Sequence, residues 1–262
     1  MPDRGPAARG MVRAEPVMGT VVTVDIRDEG VPDAAVDGAI AWFHEVDATF
    51  STYRAESEIS RISRGELGRS DCSAEVHEVL GLCAEVTRRS GGCFDIHLGG
   101  GLDPSGLVKG WSVQRAAEML QGSGARNFFI GAGGDVVTRG RPAGEQRWRV
   151  GIRHPELGDR VAAVLEAGDL AVATSGAYER GEHIVDPRTG RAPVGLLSMT
   201  VAGPSLTYAD AFATAAFVMG EEGLAWVAGI DGYHALAITA DRRMVWTPGM
   251  EMLLLRATSP PG

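Results

Sequence analysis

Lysine is almost absent from this chain. Lys109 is the only lysine among 262 residues, and the other basic residues apart from histidine are arginine. The net charge is −9 and the isoelectric point is about 5.2. Because binding along a nucleic-acid backbone requires a basic face, this charge argues against nucleic acid as a partner. Any phosphate that the protein binds is expected at a local site.

Cysteine is scarce and long apolar runs are missing. Cys72, Cys83 and Cys93 form no Cys-x-x-Cys pair and have no Cys/His metal spacing, so we expect neither a disulfide framework nor a zinc site. No apolar run is long enough to span a bilayer, and residues 1–15 lack the apolar segment of a signal peptide. The sequence therefore predicts a cytoplasmic protein without stable membrane insertion.

The overall composition is typical of one globular domain. With 262 residues, of which 44% are hydrophobic, the chain can bury a full core, and no linker interrupts it. We predict a single domain over residues 14–256, with flexible tails at 1–13 and 257–262. Helical and strand patterns occur in unequal blocks, which favours an α+β fold with mixed or antiparallel sheets packed with helices.

Hydrophobic periodicity predicts the individual elements. The predicted helices begin at Asp33, after Ser73, at Trp111, at Tyr208 and at Leu224. The predicted strands cover residues 17–25, 127–130, 148–152, 161–165, 170–173, 233–239 and 244–247.

Lys109 lies in a segment, Asp103 to Gly110, that is typical of a phosphate site. A lysine ammonium is a compact charge on a flexible stem, whereas arginine is a planar fork, so a tight turn facing one phosphoryl oxygen can distinguish them. Gly106 and Gly110 would let the backbone approach a ligand. A helix beginning at Trp111 would point its positive end at an anion.

A glycine-rich segment follows the apolar strand that ends at Ile130. Residues 131–135 read Gly-Ala-Gly-Gly-Asp, and their backbone N–H groups are suited to a pyrophosphate. The glycine spacing differs from that of a dinucleotide-binding turn, and no helix is predicted to follow. A tight turn between strands with a solvated Asp135 is an equal alternative.

Hydroxyl, imidazole and acidic groups cluster between residues 173 and 190. Thr174 and Ser175 precede the run His-Ile-Val-Asp-Pro-Arg-Thr-Gly, which begins at His183. Such a cluster suits the binding of charged oxygen atoms and the transfer of a proton. A lone histidine in a strand can also be a structural hydrogen-bonding residue, but in this company we favour a functional His183.

Asp210 and Thr214 are four residues apart on a predicted helix and so share one face. A carboxylate and a hydroxyl are hard oxygen ligands suited to Mg²⁺, which commonly takes one or two protein carboxylates and completes its shell with water and phosphate. The alternative is an acidic residue that favours the helix dipole, beside an ordinary threonine at the edge of the core.

Taken together and in this order, these segments resemble the ApbE family, the FAD:protein FMN transferases. The resemblance runs from Met18-Gly19-Thr20, through residues 50–53 and 58–60, to the helix at 209–214, and so covers most of the chain. It implies an ApbE-like domain that transfers FMN from FAD to a Thr or Ser hydroxyl of an acceptor protein and releases AMP.

The resemblance also implies a role for each matching residue. Asp210, Thr214 and the backbone carbonyl of Gly106 would hold Mg²⁺. His183 would be the catalytic base, and Lys109 would draw charge from the FAD pyrophosphate. The other matches would bind FAD together with Lys109: Met18, Thr20, Tyr53, Ser105, Gly133, Gly134, Asp135, Thr174 and Ser175.

Two departures from the family pattern bear on activity. Family members usually have an Asp five residues after the lysine, where this chain has Gln114. They also have several dozen residues between a Gly-x-Phe-Asp-Pro motif and the lysine segment, whereas here Gly92-Cys93-Phe94-Asp95 is followed almost at once by that segment. Two alternatives therefore stay open: an FAD pyrophosphatase that gives FMN and AMP, and a non-catalytic FAD-binding protein.

Overall fold

A computed structural model describes residues 10–97, 101–144, 146–158, 160–176 and 184–255 of the chain. Within these ranges the strands are β1 (Met11–Val17), β2 (Thr20–Ile26), β3 (Phe128–Ala132), β4 (Asp135–Arg139), β5 (Trp148–Arg153), β6 (Val161–Ala167), β7 (Leu170–Gly176), β8 (Leu196–Gly203), β9 (His234–Thr239) and β10 (Met244–Trp246). The helices are α1 (Asp33–Phe50), α2 (Glu58–Ser63), α3 (Ala74–Arg89), α4 (Ser105–Gly122), α5 (Leu206–Met219), α6 (Glu222–Ala228) and α7 (Pro248–Glu251).

Eight strands form one sheet in the order β1-β2-β3-β4-β7-β8-β9-β10, and each is antiparallel to its neighbours. The remaining strands, β5 and β6, pair with each other as a separate hairpin. Gly133 and Gly134 make the tight β3–β4 turn with φ values of 55° and 95°, which glycine adopts without strain. The arrangement confirms the predicted α+β fold with antiparallel sheets packed with helices.

The large sheet buries both of its faces. On β9, Ala235 and Ala237 belong to the core shared with the long helices, while Leu236 and Ile238 belong to the core shared with the β5–β6 hairpin. Successive side chains of a strand point to opposite faces, so the same strands serve two separate cores. The helices α1, α3, α4 and α5 cover one face, and the hairpin and α7 cover the other.

Most of the predicted elements are present. Four helices and the closing β9–β10 pair are confirmed, whereas β1, β4, β8, α2 and α7 were not predicted. The third helix begins at Ser105 rather than Trp111, so the lysine segment forms the first turns of α4 instead of a turn before it.

The predicted N-terminal tail also needs adjustment. Strand β1 begins at Met11, which pairs with Ile26, so residues 11–13 belong to the sheet. The predicted tail at 257–262 lies outside the described residues. Across the ranges given above, none of the helices combines the length and apolar character needed to cross a membrane.

Candidate functional site

A cavity of about 630 Å³ opens beside the N-terminal end of α4. This volume lies within the range of small-molecule binding sites. Its walls come from the β1–β2 turn, the end of α1 with the loop after it, residues 93–95, the first turns of α4, the end of β7, residues 184–187 and α5. The cavity therefore gathers segments that are far apart in sequence.

Lys109 lies on the cavity wall between two buried carboxylates. Its Nζ is 2.6 Å from Oδ2 of Asp135 and 3.7 Å from Oδ1 of Asp210. The Asp135 side chain is fully buried, that of Asp210 is 5% exposed, and that of Lys109 is 22% exposed. The ammonium thus offsets buried negative charge and still reaches the cavity.

Asp135 is the first residue of β4 and points to the helix-covered face of the sheet. Its Oδ1 accepts a hydrogen bond from the Thr174 backbone N–H at 3.1 Å. Burial raises the pKa of the Asp135 carboxyl, against the opposing effects of the Lys109 ammonium and the Thr174 amide. The alternative of a solvated Asp135 is therefore wrong, because the carboxylate is enclosed and paired with Lys109.

Asp210 and Thr214 lie one turn apart on α5, as predicted, and both line the cavity. Oδ2 of Asp210 accepts a hydrogen bond from the Gly110 backbone N–H at 2.9 Å. The hydroxyl of Thr214 is 3.1 Å from the hydroxyl of Ser175 on β7. Gly106 is close to the same group, since a Cβ atom built on it would lie 3.9 Å from Oγ1 of Thr214.

This group of oxygen atoms is chemically suited to Mg²⁺. Asp210 offers a carboxylate and Thr214 a hydroxyl, which are hard oxygen donors that match the preference of the ion, and Gly106, whose carbonyl the family resemblance assigns to the ion, lies beside Thr214. No group of three or more His, Cys, Asp or Glu side chains that could hold a metal occurs among the described residues. A single carboxylate suits Mg²⁺, which usually keeps several water or phosphate ligands.

Gln114, the first departure from the family pattern, is not among the described residues that line the cavity. Its side-chain oxygen accepts a hydrogen bond from the backbone N–H of Leu206 at 3.1 Å, and its amide group donates to Glu118 at 3.1 Å. Leu206 is the first residue of α5. Gln114 therefore satisfies a backbone donor at the start of the helix that carries Asp210.

The shortened segment, the second departure, still reaches the cavity. Cys93, Phe94 and Asp95 contribute to its wall. The Phe94 ring packs beside Gly106, where a built Cβ atom would lie 3.2 Å from Cε2 of the ring. Residues 98–100 lie outside the described ranges.

The structure brings together only part of the predicted FAD-binding set. Met18, Tyr53, Ser105, Lys109, Thr174 and Ser175 line the cavity. Tyr53 is 96% exposed, so it lies at the rim.

The other four, Thr20, Gly133, Gly134 and Asp135, are not among the described residues that line this cavity, and Asp135 lies behind Lys109. Thr20 and Gly133 lie against each other, since a Cβ atom built on Gly133 would be 3.1 Å from Oγ1 of Thr20, and Gly134 completes the same turn. The predicted catalytic base, His183, lies outside the described residues.

Several wall residues were not predicted from the sequence. The carboxylates of Asp47, Asp95 and Asp103 line the cavity in addition to Asp210. Oδ1 of Asp103 accepts a hydrogen bond from the Ser105 backbone N–H at 3.0 Å. Aspartate commonly bonds a backbone N–H two residues on at a helix start, so Asp103 was a usable signal that α4 begins at Ser105.

Comparison with known proteins identifies relatives over most of the chain. Residues 18–100 and 97–237 match the ApbE family. The chain is 39% identical over 132 residues to the FAD:protein FMN transferase of Vibrio cholerae, a match that covers 46% of this chain and 39% of that protein. It is 33% identical over 239 residues to the FAD:protein FMN transferase of Rhodobacter capsulatus, covering 87% of this chain and 43% of the relative. The chain thus spans less than half the length of these curated relatives.

Solved structures share the fold. The flavin transferase ApbE from Vibrio cholerae has a TM-score of 0.84 at 25% identity, and the match covers 94% of this chain and 100% of that one. The apbe protein from Thermotoga maritima has a TM-score of 0.86 at 21% identity, covering 95% and 100% of the two chains, which shows likeness of fold alone. Since the family match extends over far more than half of the sequence, the chain belongs to the ApbE family.

Proposed function

We propose that this protein is a Mg²⁺-dependent transferase that moves FMN from FAD to a Thr or Ser hydroxyl of a separate acceptor protein and releases AMP. The observation that carries the proposal is the convergence of Lys109, Asp210 and Thr214 on one cavity of about 630 Å³. A cation, a carboxylate and a hydroxyl around a roomy cavity are suited to a phosphate-containing ligand. The names of the relatives, FAD:protein FMN transferase, support the same reaction.

The proposed reaction exchanges the phosphoanhydride bond of FAD for a phosphoester bond to the acceptor. The acceptor hydroxyl oxygen forms a bond to the phosphorus on the FMN side of FAD. The bond from that phosphorus to the bridging oxygen breaks, and AMP leaves with that oxygen. The hydroxyl proton passes to His183, which acts as general base.

The residues of the cavity would orient the donor. Lys109, fixed by Asp135 at 2.6 Å, presents its ammonium to the pyrophosphate oxygens. The first turn of α4 adds the positive end of the helix and the backbone N–H of Gly106, while the Ser105 N–H is held by Asp103. Asp210, Thr214 and the Gly106 carbonyl would hold Mg²⁺, which when bound supplies positive charge next to the phosphates.

Incubation of the full chain with FAD and MgCl₂ tests the proposal. The acceptor is a domain that carries the threonine motif of the family, and a parallel sample contains EDTA. Chromatography quantifies AMP and free FMN, and in-gel fluorescence detects flavin on the acceptor. We expect equimolar AMP and labelled acceptor, and neither product with EDTA.

Variants test the residue assignment in the same assay. We expect His183→Ala to abolish labelling and His44→Ala, a histidine hydrogen-bonded to Glu15 outside the cavity, to leave it unchanged. Release of AMP with free FMN and no labelled acceptor would instead identify an FAD pyrophosphatase. FAD binding without AMP would identify a non-catalytic flavin protein and contradict the proposal.

A further inference from the structure

Helices α4 and α5 are joined by two polar contacts that lie one turn apart. Gly110 donates its backbone N–H to Oδ2 of Asp210 at 2.9 Å. Four residues further along α4, Gln114 accepts the backbone N–H of Leu206 at 3.1 Å. Because Leu206 and Asp210 are also four residues apart on α5, the two contacts connect the same faces of both helices.

The contact at Gly110 requires glycine. A Cβ atom at this position would overlap the Leu206 carbonyl oxygen and would come within 2.7 Å of Cβ of Asp210. The sequence-based expectation that Gly110 lets the backbone approach a ligand is therefore wrong, because the close approach is to α5. Helix α5 can lie this near to α4 only when residue 110 has no side chain.

The two carboxylate oxygens of Asp210 have different neighbours. Oδ2 is held by Gly110, while Oδ1 is the oxygen that lies 3.7 Å from Lys109 Nζ. In a regular helix the Gly110 N–H binds the carbonyl oxygen of Gly106. A carboxylate is a stronger acceptor than a carbonyl, so the bond to Asp210 competes with that helical bond and favours a Gly106 carbonyl oxygen available to a cation.

The contact at Gln114 fixes the start of α5. Its half-buried side chain is held at both ends, since the oxygen meets Leu206 and the nitrogen meets Glu118. The backbone donors in the first turn of a helix have no partner within the helix, so a side chain that binds one of them anchors the helix end. Asp210 follows one turn later, and its position depends on that anchor.

We infer that Gly110 and Gln114 are positioning residues that set Asp210 and the Gly106 carbonyl for a divalent cation. This inference rests on the proposed function, which assigns those groups to Mg²⁺. Gln114 acts on Leu206 through an oxygen acceptor and not through charge.

Mn²⁺ titration of the full chain without FAD, followed by calorimetry, tests the inference directly. Mn²⁺ is the probe because it accepts the same hard oxygen ligands. Gln114→Leu removes the acceptor and should weaken Mn²⁺ binding about tenfold, as for other groups that orient metal ligands. Gln114→Glu keeps an acceptor oxygen for Leu206 but loses the donor to Glu118, so it should bind Mn²⁺ more tightly than Gln114→Leu does.

Gln121→Leu is the matched control. It makes the same substitution on the same helix at a glutamine whose contact is with Arg139 and not with α5, so Mn²⁺ affinity should stay at the wild-type value. Thermal unfolding of each variant verifies that the titrations are made on folded protein.

The inference is overturned if Gln114→Leu binds Mn²⁺ as the wild type does, or if Gln114→Glu is weakened as much as Gln114→Leu. Failure of the wild type to bind Mn²⁺ overturns it as well. The AMP and acceptor-labelling assay tests the proposed activity separately. A wild type that labels the acceptor would support the proposed activity even if Gln114 had no influence on cation binding.

Discussion

The two faces of the large sheet contrast sharply in chemistry. On the face covered by the β5–β6 hairpin, Val172, Leu236 and Ile238 pack against Ile152 and Leu165 in an apolar layer. On the face covered by the helices, the apolar core is interrupted beside α4 and α5. There the sheet residues Asp135 and Ser175 contact Lys109 and Thr214.

The contrast indicates that the hairpin-covered face contributes mainly to stability, whereas the helix-covered face carries the polar groups of the candidate site. Apolar burial stabilises a fold without directional requirements, whereas a buried charge costs free energy unless it is paired and hydrogen-bonded. Asp135, fully buried, has both an ion pair and a backbone donor. We therefore expect substitutions on the hairpin face to change stability and substitutions at the α4–α5 contact to change function.

Leu165→Ala should give the largest change in stability. Leu165, on strand β6 of the hairpin, is fully buried against the large sheet, and removal of such a side chain lowers the free energy of unfolding by about 2–5 kcal/mol. Urea unfolding measures the loss, and acceptor labelling at low temperature should be unchanged. Val161→Ala, at a position on the same strand that is 57% exposed, is the control and should change little. Loss of labelling by folded Leu165→Ala protein would break the proposed separation.

Among substitutions at the described residues, Asp210→Asn should give the largest change in activity. The amide retains an oxygen for the Gly110 N–H but removes the negative charge. The rate of AMP release should therefore fall at least about a hundredfold, which exceeds the usual loss when a group that only orients a metal ligand is changed. Chromatography measures the rate, and circular dichroism should show a folded protein. Asp37→Asn, on the exposed side of α1, is the control. Activity within a few-fold of the wild type would exclude Asp210 from the reaction.

Lys109→Arg should reduce labelling about tenfold to a hundredfold, the range expected when a group at the reacting centre is displaced by about 1 Å. A planar guanidinium cannot reproduce the position of an ammonium 2.6 Å from Asp135 without moving the surrounding residues. The rate of acceptor labelling measures the effect. Arg115→Lys, the reverse exchange at an exposed position of α4 that contacts Glu78, should have no effect. Full activity of Lys109→Arg would show that charge alone is sufficient there.

Asp28→Asn should give the smallest effect, because Asp28 follows the end of β2 and belongs to neither face of the large sheet. Its oxygens accept hydrogen bonds from the backbone of Arg126 and Asn127 and from the Asn127 side chain, each at 2.7 Å. Partial burial acts to raise the pKa of Asp28, but these hydrogen bonds outweigh it and leave the pKa below its usual value of 3.8. The carboxylate therefore stabilises the fold at pH values above 3.8, and this contribution is lost as the pH falls through the lower folded-state pKa.

We expect Asp28→Asn to lower the free energy of unfolding by about 1 kcal/mol at neutral pH. The difference from the wild type should narrow as the pH falls below 3.8. Urea unfolding over a pH series measures it, with the exposed Asp231→Asn as the control. A difference that grows at low pH would contradict the assigned direction of the pKa shift.

Local patterns were sufficient for most helices and insufficient where tertiary contacts dominate. The sequence predicts the start of α4 at Trp111 because the preceding segment, with Gly106 and Gly110, is interpreted as a turn that faces phosphate. The helix includes both, since Gly110 packs against Leu206 and Asp210. Strand β8 was not predicted because Leu196–Gly203 is buried on both sides and has no alternation of apolar and polar residues to reveal it.

The candidate site was predicted in part for the same physical reason. Asp210 and Thr214 follow from helical spacing, and the structure places them beside Gly106 and Lys109. The burial of Asp135 depends on Lys109, which is distant in sequence, so no local pattern reveals it. Cation binding and the role of His183 stay predictions.

The order of the cavity walls along the chain has a consequence for biosynthesis. The walls extend in sequence from Met18 to Thr214. A nascent chain that has not yet reached α5 already contains the lysine and the glycines of α4 but neither side chain of the proposed cation site. Strand β8 also lacks its neighbour β9 at that stage. We therefore expect truncated chains that end before α5 to be inactive.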